Sequence, residues 1–364
     1  MKIDSLLTLL LRVWRDARVV IAFVFAFTLG CAVPAFAAPV EPVQHLRIVG
    51  GLAGLNQFTR HEEPFWTREL SRLSGGRASA EIVPFDRAGI RGQEMLRLVQ
   101  VGTVPFGTVV LNLGAAEDPE LFAPDLAGLN PDMLSMRRSA TAFRPHLERH
   151  LHSRYGIKLL ALYTYPAQVT FCNRPLSQMA DLKGRRVRVS NASQADFMLA
   201  LGAVPVRTGF GEIVGNLRNG SVDCTVTGTM SGNTIGLHEL TSHLHTLPLG
   251  WGLAVFVAHE ATWNALAPDL QALLQRELPK LEQAIWAESD RETGEGIACN
   301  RGAAACVSGR KGNMSVAPAS PADERLRREI LVKEVLPRWL QRCGPRCSEV
   351  WAQTLGPVTG IAFH

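Results

Sequence analysis

The stretch Asp181–Asp223, DLKGRRVRVSNASQADFMLALGAVPVRTGFGEIVGNLRNGSVD, constrains the fold more than any other part of the chain. Short β-like runs alternate in it with helical runs, the pattern of a parallel α/β lobe. Val187 and Val189 alternate with Arg186 and Arg188, so a strand here carries two valines on one face and two arginines on the other. Ser190 and Asn191 are good N-cap residues, and Gln194 stands at the third position of a capping box. A helix from Ala192 to Leu201 closes at Gly202. A guanidinium leaving a strand beside a helix N-terminus makes an anion site the size of a carboxylate. Arg188 and Asn191 are therefore candidate ligand contacts. From spacing alone, two solvated strand arginines remain the open alternative.

The chain begins with an export pattern. Arg12, Arg15 and Arg18 precede the apolar run Val19–Val33, and Ala35-Phe36-Ala37 reads as a cleavage site. The run is about 15 residues, shorter than the roughly 20 a spanning helix needs. Cys31 would suit a lipoprotein, but Thr28 stands where a lipobox prefers leucine. The expectation is a soluble, exported, monomeric protein cleaved near Ala37. Its formal charge of +5 has no basic run with interleaved aromatics behind it, which speaks against nucleic acid. Of seven cysteines, six follow the leader, an even number suited to disulfides. Cys299, Cys306, Cys343 and Cys347 are expected to pair, locally or across. Zinc ligation is their rival, although C-x6-C and C-x3-C fit finger spacings poorly. Cys172 and Cys224 lie on expected strands, where a bond and two buried thiols both stay open.

Before the 181–223 stretch, strands are expected at Leu46–Gly51, Ala80–Phe85 and Val104–Leu111, with helices at 63–73 and 92–101. Polar strand ends are where α/β sheets bind ligands, which nominates Asn56, Gln57 and Asn112 as cleft residues. Their alternative is to be loop amides bonded to the backbone. Ile157–Tyr165 and Gln168–Cys172 lead from a first lobe to a second, and two strands between His243 and His259 lead back. A helix from Pro268 to about Glu292 would be about 37 Å long, enough to lie across both lobes. Two crossings make a hinge, which suits closure on a ligand.

Enzymatic signatures are missing: no G-x-S-x-G elbow, no P-loop, no G-x-G-x-x-G after a strand. His238, Glu239 and His243 are one residue too widely spaced for a helical zinc pair. His146, His150 and His152 read as the solvated face of an Arg-rich helix. Glu212 reads as a helix-dipole partner rather than an acid or base.

The succession DLKG, RVRV, ALGAVPV, FGEI and NGSVD resembles the solute-binding proteins of TRAP-type (tripartite ATP-independent periplasmic) transporters. Upstream SGGRASAEIVPFDRAG and GQEMLRLVQVGTV, and downstream ATWNALAPDLQALL, extend the resemblance over roughly Leu46 to Ala287. It implies a two-lobed α/β periplasmic-binding fold with hinge strands and a spanning helix. Residues 38–165 and 250–296 would form the first lobe and 166–249 the second, leaving 297–364 as an extension outside the family core. It implies a periplasmic receptor that captures an organic acid and hands it to a membrane permease, with a sensory module as the alternative and a hydrolase well behind. In the family an arginine forks onto the substrate carboxylate; Arg188 holds that position. A second family arginine is replaced by Ala167 and Gln168. Thr227 and Cys224 stand where the family has asparagine and glycine. These departures point away from sialic acid and toward a monocarboxylate. Trp251 could pack against its body or simply pack the hinge. No metal or cofactor is implied.

Overall fold

The computed structural model describes residues 43–114 and 117–362; the leader, its cleavage site and Cys31 lie outside them. Among the described residues eleven strands form two sheets. In the first lobe β1 (Gln44–Gly50), β2 (Ala78–Pro84) and β3 (Phe106–Val110) run parallel, with β1 between the other two. β4 (Ile157–Tyr163) closes the lobe's edge. In the second lobe β5 (Gln168–Cys172) lies antiparallel to β8 (Cys224–Gly228) and β9 (His243–Gly250). β6 (Arg186–Val189) is parallel to β7 (Val204–Arg207) and to β8. β10 (Ala254–His259) returns to the first sheet, antiparallel between β3 and β4, and β11 (Ser315–Ala317) edges the second beside β9. The chain thus leaves one sheet between Tyr163 and Gln168 and comes back between Gly250 and Ala254.

Both central strands are covered on two faces: β3 and β8 are buried at every position, with Thr108, Thr225 and Thr227 as their only polar side chains. Asp125 braces the returning crossover. Its buried carboxylate accepts from the amides of Trp251 and Gly252, each at 2.8 Å, and of Leu253 at 3.1 Å. Gly252 needs its lack of a side chain. Its φ is +67°, and a Cβ would stand 3.1 Å from Gln168 Nε2.

The spanning helix is longer than its sequence pattern suggests, Pro268–Asn300, about 50 Å. Trp286 donates to Leu162 O at 2.7 Å in the first lobe, and Asn300 donates to Thr229 O at 3.0 Å in the second. Close contact with the second lobe depends on Gly296, where a Cβ would meet Met230 N at 2.3 Å. The Gly- and Ser-rich run after β8 is itself a helix, Thr229–Thr234. The first helical segment starts at Gln57, not 63, and its turns widen to π on both sides of Pro64.

All six described cysteines are bonded: Cys172–Cys224, Cys299–Cys306 and Cys343–Cys347. The first pair sits directly opposite in the β5–β8 register, a relation invisible without the pairing of strands. The four tail cysteines pair locally. No helix among the described residues is long and apolar enough to cross a membrane.

Candidate functional site

A cleft enclosing about 480 Å³ of empty space, its open mouth included, lies between the two sheets at the crossovers. Arg188 reaches it from β6. The side chain is 3% exposed, and its guanidinium is anchored by backbone carbonyls: Nε and Nη2 donate to Thr208 O at 3.1 and 2.7 Å, and Nη1 donates to Val226 O at 3.0 Å. Five N–H groups minus these three leave one on each Nη. No carboxylate among the described residues comes within 4.0 Å of it, and it is the one charged residue on the cleft wall. Burial pulls its pKa down to about 10, opposed to a lesser degree by the charge of Glu212. The site therefore holds a desolvated cation, fixed in orientation, with one N–H on each Nη unspent.

Gln168 is positioned by a chain of amides. The Ser190 amide and hydroxyl both donate to Gln194 Oε1 at 3.0 Å. The Ser190 N–H can only donate, so Gln194 must turn its Nε2 toward Gln168 Oε1, 2.5 Å away. Gln168 in turn presents its NH2 to the cleft. The capping box foreseen at Asn191 is half realised: Asn191 Oδ1 accepts from Gln194 N at 3.0 Å, but the Gln194 side chain returns to Ser190.

Two further polar atoms on the cleft wall are buried without a hydrogen-bond partner, Asn112 Oδ1 and the Tyr165 hydroxyl. The Leu52 amide lies near that hydroxyl. Burial and the neighbouring Glu62 push the Tyr165 pKa up, so it stays a neutral donor. Glu62 is itself raised by burial, against donors from Gly51 N at 2.7 Å, Thr108 Oγ1 at 3.1 Å and Tyr163 Oη. Thr227 and Ser231 add hydroxyls, while Leu52, Leu55, Val110, Leu113 and Phe210 make the remainder apolar.

Of the residues nominated from sequence, Arg188, Gln168, Asn112 and Thr227 meet in this cleft. Four do not. Asn56 and Gln57 turn away and bond to Glu292 on the spanning helix, Gln57 at 2.7 Å and also to Ser289 at 3.1 Å. Asn191 is spent as a helix cap. Trp251 is buried, its indole donating to Asn130 O at 3.1 Å, so it packs the hinge. Tyr165, Ser231 and Phe210 also line the cleft, without a sequence pattern that nominates them. Tyr165 lies two residues past the end of β4, and its place at the crossover is its one signal in the sequence; Phe210 stands in the FGEI run, whose motif carries no role for the ring.

A two-sheet fold with a single buried cation in the cleft between its sheets invites comparison with known receptors. The profile of the family described as bacterial extracellular solute-binding protein, family 7, matches residues 56–298. The chain belongs to that family. Family 7 comprises solute receptors, not enzymes, and the resemblance to TRAP-type solute-binding proteins is borne out. The ectoine-binding periplasmic protein TeaA of Halomonas elongata is 25% identical over 126 residues, 34% of this chain and 37% of that protein. An extracytoplasmic solute receptor of Bordetella pertussis that binds pyroglutamic acid superposes with a TM-score of 0.74 at 20% identity, over 85% of this chain and 99% of that one. A TRAP periplasmic solute-binding protein of Desulfovibrio salexigens with bound orotic acid gives a TM-score of 0.75 at 19% identity, over 87% and 98%. Coverage of 85% cannot be reached without the tail, so the fold likeness runs into the segment that sequence set outside the family core.

Proposed function

We propose that this family 7 protein is a periplasmic receptor that closes on a small organic acid and delivers it to a TRAP-type membrane permease. The observation that carries this reading is Arg188, a buried cation with two free N–H groups and no protein counter-ion. A carboxylate would accept from both and supply the missing charge, in the two-pronged geometry a guanidinium favours.

The rest of the wall narrows the class. No second cation faces the cleft, so a second carboxylate would meet only neutral donors. The ligand is a monocarboxylate with a compact body. It offers a donor to Asn112 Oδ1, an acceptor to Gln168 or Tyr165, and an apolar edge to Leu52, Leu55 and Phe210. A cyclic amide acid has these features, as does a hydroxylated short-chain acid. The pyroglutamate and orotate of the two similar receptors are each such an amide-bearing acid.

Mass spectrometry of the denatured protein after mild purification identifies any co-purifying acid, and calorimetry with a panel of mono- and dicarboxylates ranks them. Saturable binding of a monocarboxylate, lost in Arg188→Ala, supports the reading. Preference for a dicarboxylate, or binding untouched by that substitution, overturns it.

A further inference from the structure

Far in character from the cleft, a second cluster gathers where the tail meets the first lobe. The helix Met133–Tyr155 carries His146 and His150 one turn apart on the same side, their rings stacked with centroids 5.9 Å apart. Asp118 and Glu120 open the segment Pro119–Asp125 and lie against both. His146 Nε2 is 2.5 Å from Glu120 Oε1, and His150 Nδ1 is 3.1 Å from the same oxygen. On its other side, His150 Nε2 is 2.7 Å from Asp118 Oδ2. This corrects the sequence expectation of a solvated histidine face at two of its three positions: the side chains of His150 and Glu120 are only 3% and 7% exposed and that of His146 13%, while His152 is solvated as expected at 63%.

The geometry points to a transition-metal site formed by Glu120, His146 and His150, of the kind that takes Zn2+. One donor atom from each lies within 4.8 Å of the others. Asp118 fixes the tautomer: while it accepts from His150 Nε2–H, the lone pair of a neutral ring sits on Nδ1 and faces Glu120. A carboxylate behind an imidazole whose other nitrogen meets the metal is the usual outer support of such sites. Tyr155 braces that carboxylate, donating to Asp118 Oδ2 at 2.7 Å.

Two imidazoles and one carboxylate suit Zn2+ and its neighbours in the first row, whereas Ca2+ and Mg2+ prefer oxygen alone. Donors would have to spread to only about 3.3 Å apart to surround an ion at about 2.0–2.1 Å. The fourth position faces Arg346, which lies 3.6 Å from Glu120 Oε1 and 3.4 Å from His150 Nδ1. Its side chain is 62% exposed and has room to swing out, opening that position to water. Cys347 Sγ is nearby, 3.7 Å from Glu120 Oε2, but is closed in the disulfide with Cys343 and leaves three protein ligands.

The test is a titration of the purified, untagged, chelator-stripped full chain with Zn2+ by calorimetry, and with Co2+ by visible absorption. The expected result is one ion per chain with Kd at or below about 1 μM, and cobalt bands of four-coordinate intensity. His146→Ala, at a partly exposed position, should weaken binding by about 10- to 100-fold or more, while organic-acid binding at Arg188 stays unchanged. Glu120→Gln is the second variant, with circular dichroism of both in chelator establishing that they fold. No saturable binding at about 100 μM would leave the cluster a metal-free ion network and overturn the assignment. So would a stoichiometric ion whose cobalt spectrum and affinity are the same in His146→Ala.

Discussion

Two polar clusters flank the crossovers, and they differ in whether their hydrogen bonds close on themselves. On the first-lobe side Asn56 and Gln57 meet Glu292 and Ser289, and both amide nitrogens and both Glu292 carboxylate oxygens find a partner within the protein. On the second-lobe side the chain Ser190–Gln194–Gln168 ends in a free NH2, and Arg188 ends in two free N–H groups. Both clusters use amides and one charged group on helix or strand ends. The closed one holds the spanning helix to the first lobe; the open one is prepared for something the protein does not contain. A buried polar group left without a partner costs about 1–3 kcal/mol, so an open cluster persists in a folded protein where a ligand completes it.

The largest effect expected from this contrast is at Arg188. Replacement by Met should weaken acid binding by about 3–5 kcal/mol, the range for removing one partner of a buried charge pair, read as loss of ligand-induced thermal stabilisation. Asp125, in a third and fully closed cluster, should act on stability and not on affinity. Burial raises its pKa to about 6 against the pull of three amides. A raised carboxyl pKa means the folded state holds the proton more tightly than the unfolded one. Its contribution is therefore full below about pH 4 and declines as pH rises through 6, by at most about 3 kcal/mol. Chemical denaturation between pH 4 and 7 should show that decline, and Asp125→Asn should make it shallower, leaving the part that the raised carboxyls of Glu62 and Glu292 contribute. Asp118 and Glu120, whose pKa values are lowered, contribute stability above the ordinary carboxylate pKa near 4 and lose it as pH falls below that, outside the decline assigned to Asp125.

Gln57→Ala should cost about 1–3 kcal/mol of stability, since Glu292 then loses a donor while buried, with acid affinity unchanged; a change in affinity instead would break the distinction between the clusters. The smallest effect is at Gln168→Leu, about 1 kcal/mol of affinity with little change in melting temperature.

How much of this was legible in the chain depended on the range over which each signal acts. The Asp181–Asp223 segment carries its own caps, glycines and alternation, so strand, helix and the facing of Arg188 follow from neighbours within a turn or two. Arg186 shows the limit of that reasoning: it shares a face with Arg188 by alternation, yet it is half exposed and paired with Asp223 at 2.9 Å. Asn56 and Gln57 look like cleft residues locally because they follow a strand end. What redirects them is Glu292, over 230 positions later, which no local pattern reports. The His146 and His150 pair fails for the same reason, since Asp118 and Glu120 sit in a short, irregular segment without periodicity. The Cys172–Cys224 bond was undecidable because strand register is a tertiary fact.

The central claim is that a guanidinium fork, and not merely a positive charge, receives the ligand. Calorimetric titration of the co-purifying acid into the wild-type protein and Arg188→Lys measures this directly. Lysine keeps the charge but cannot supply two parallel donors, so the account predicts a Kd weakened by about 100-fold, near 2.7 kcal/mol. Equal affinities for the two proteins would contradict it.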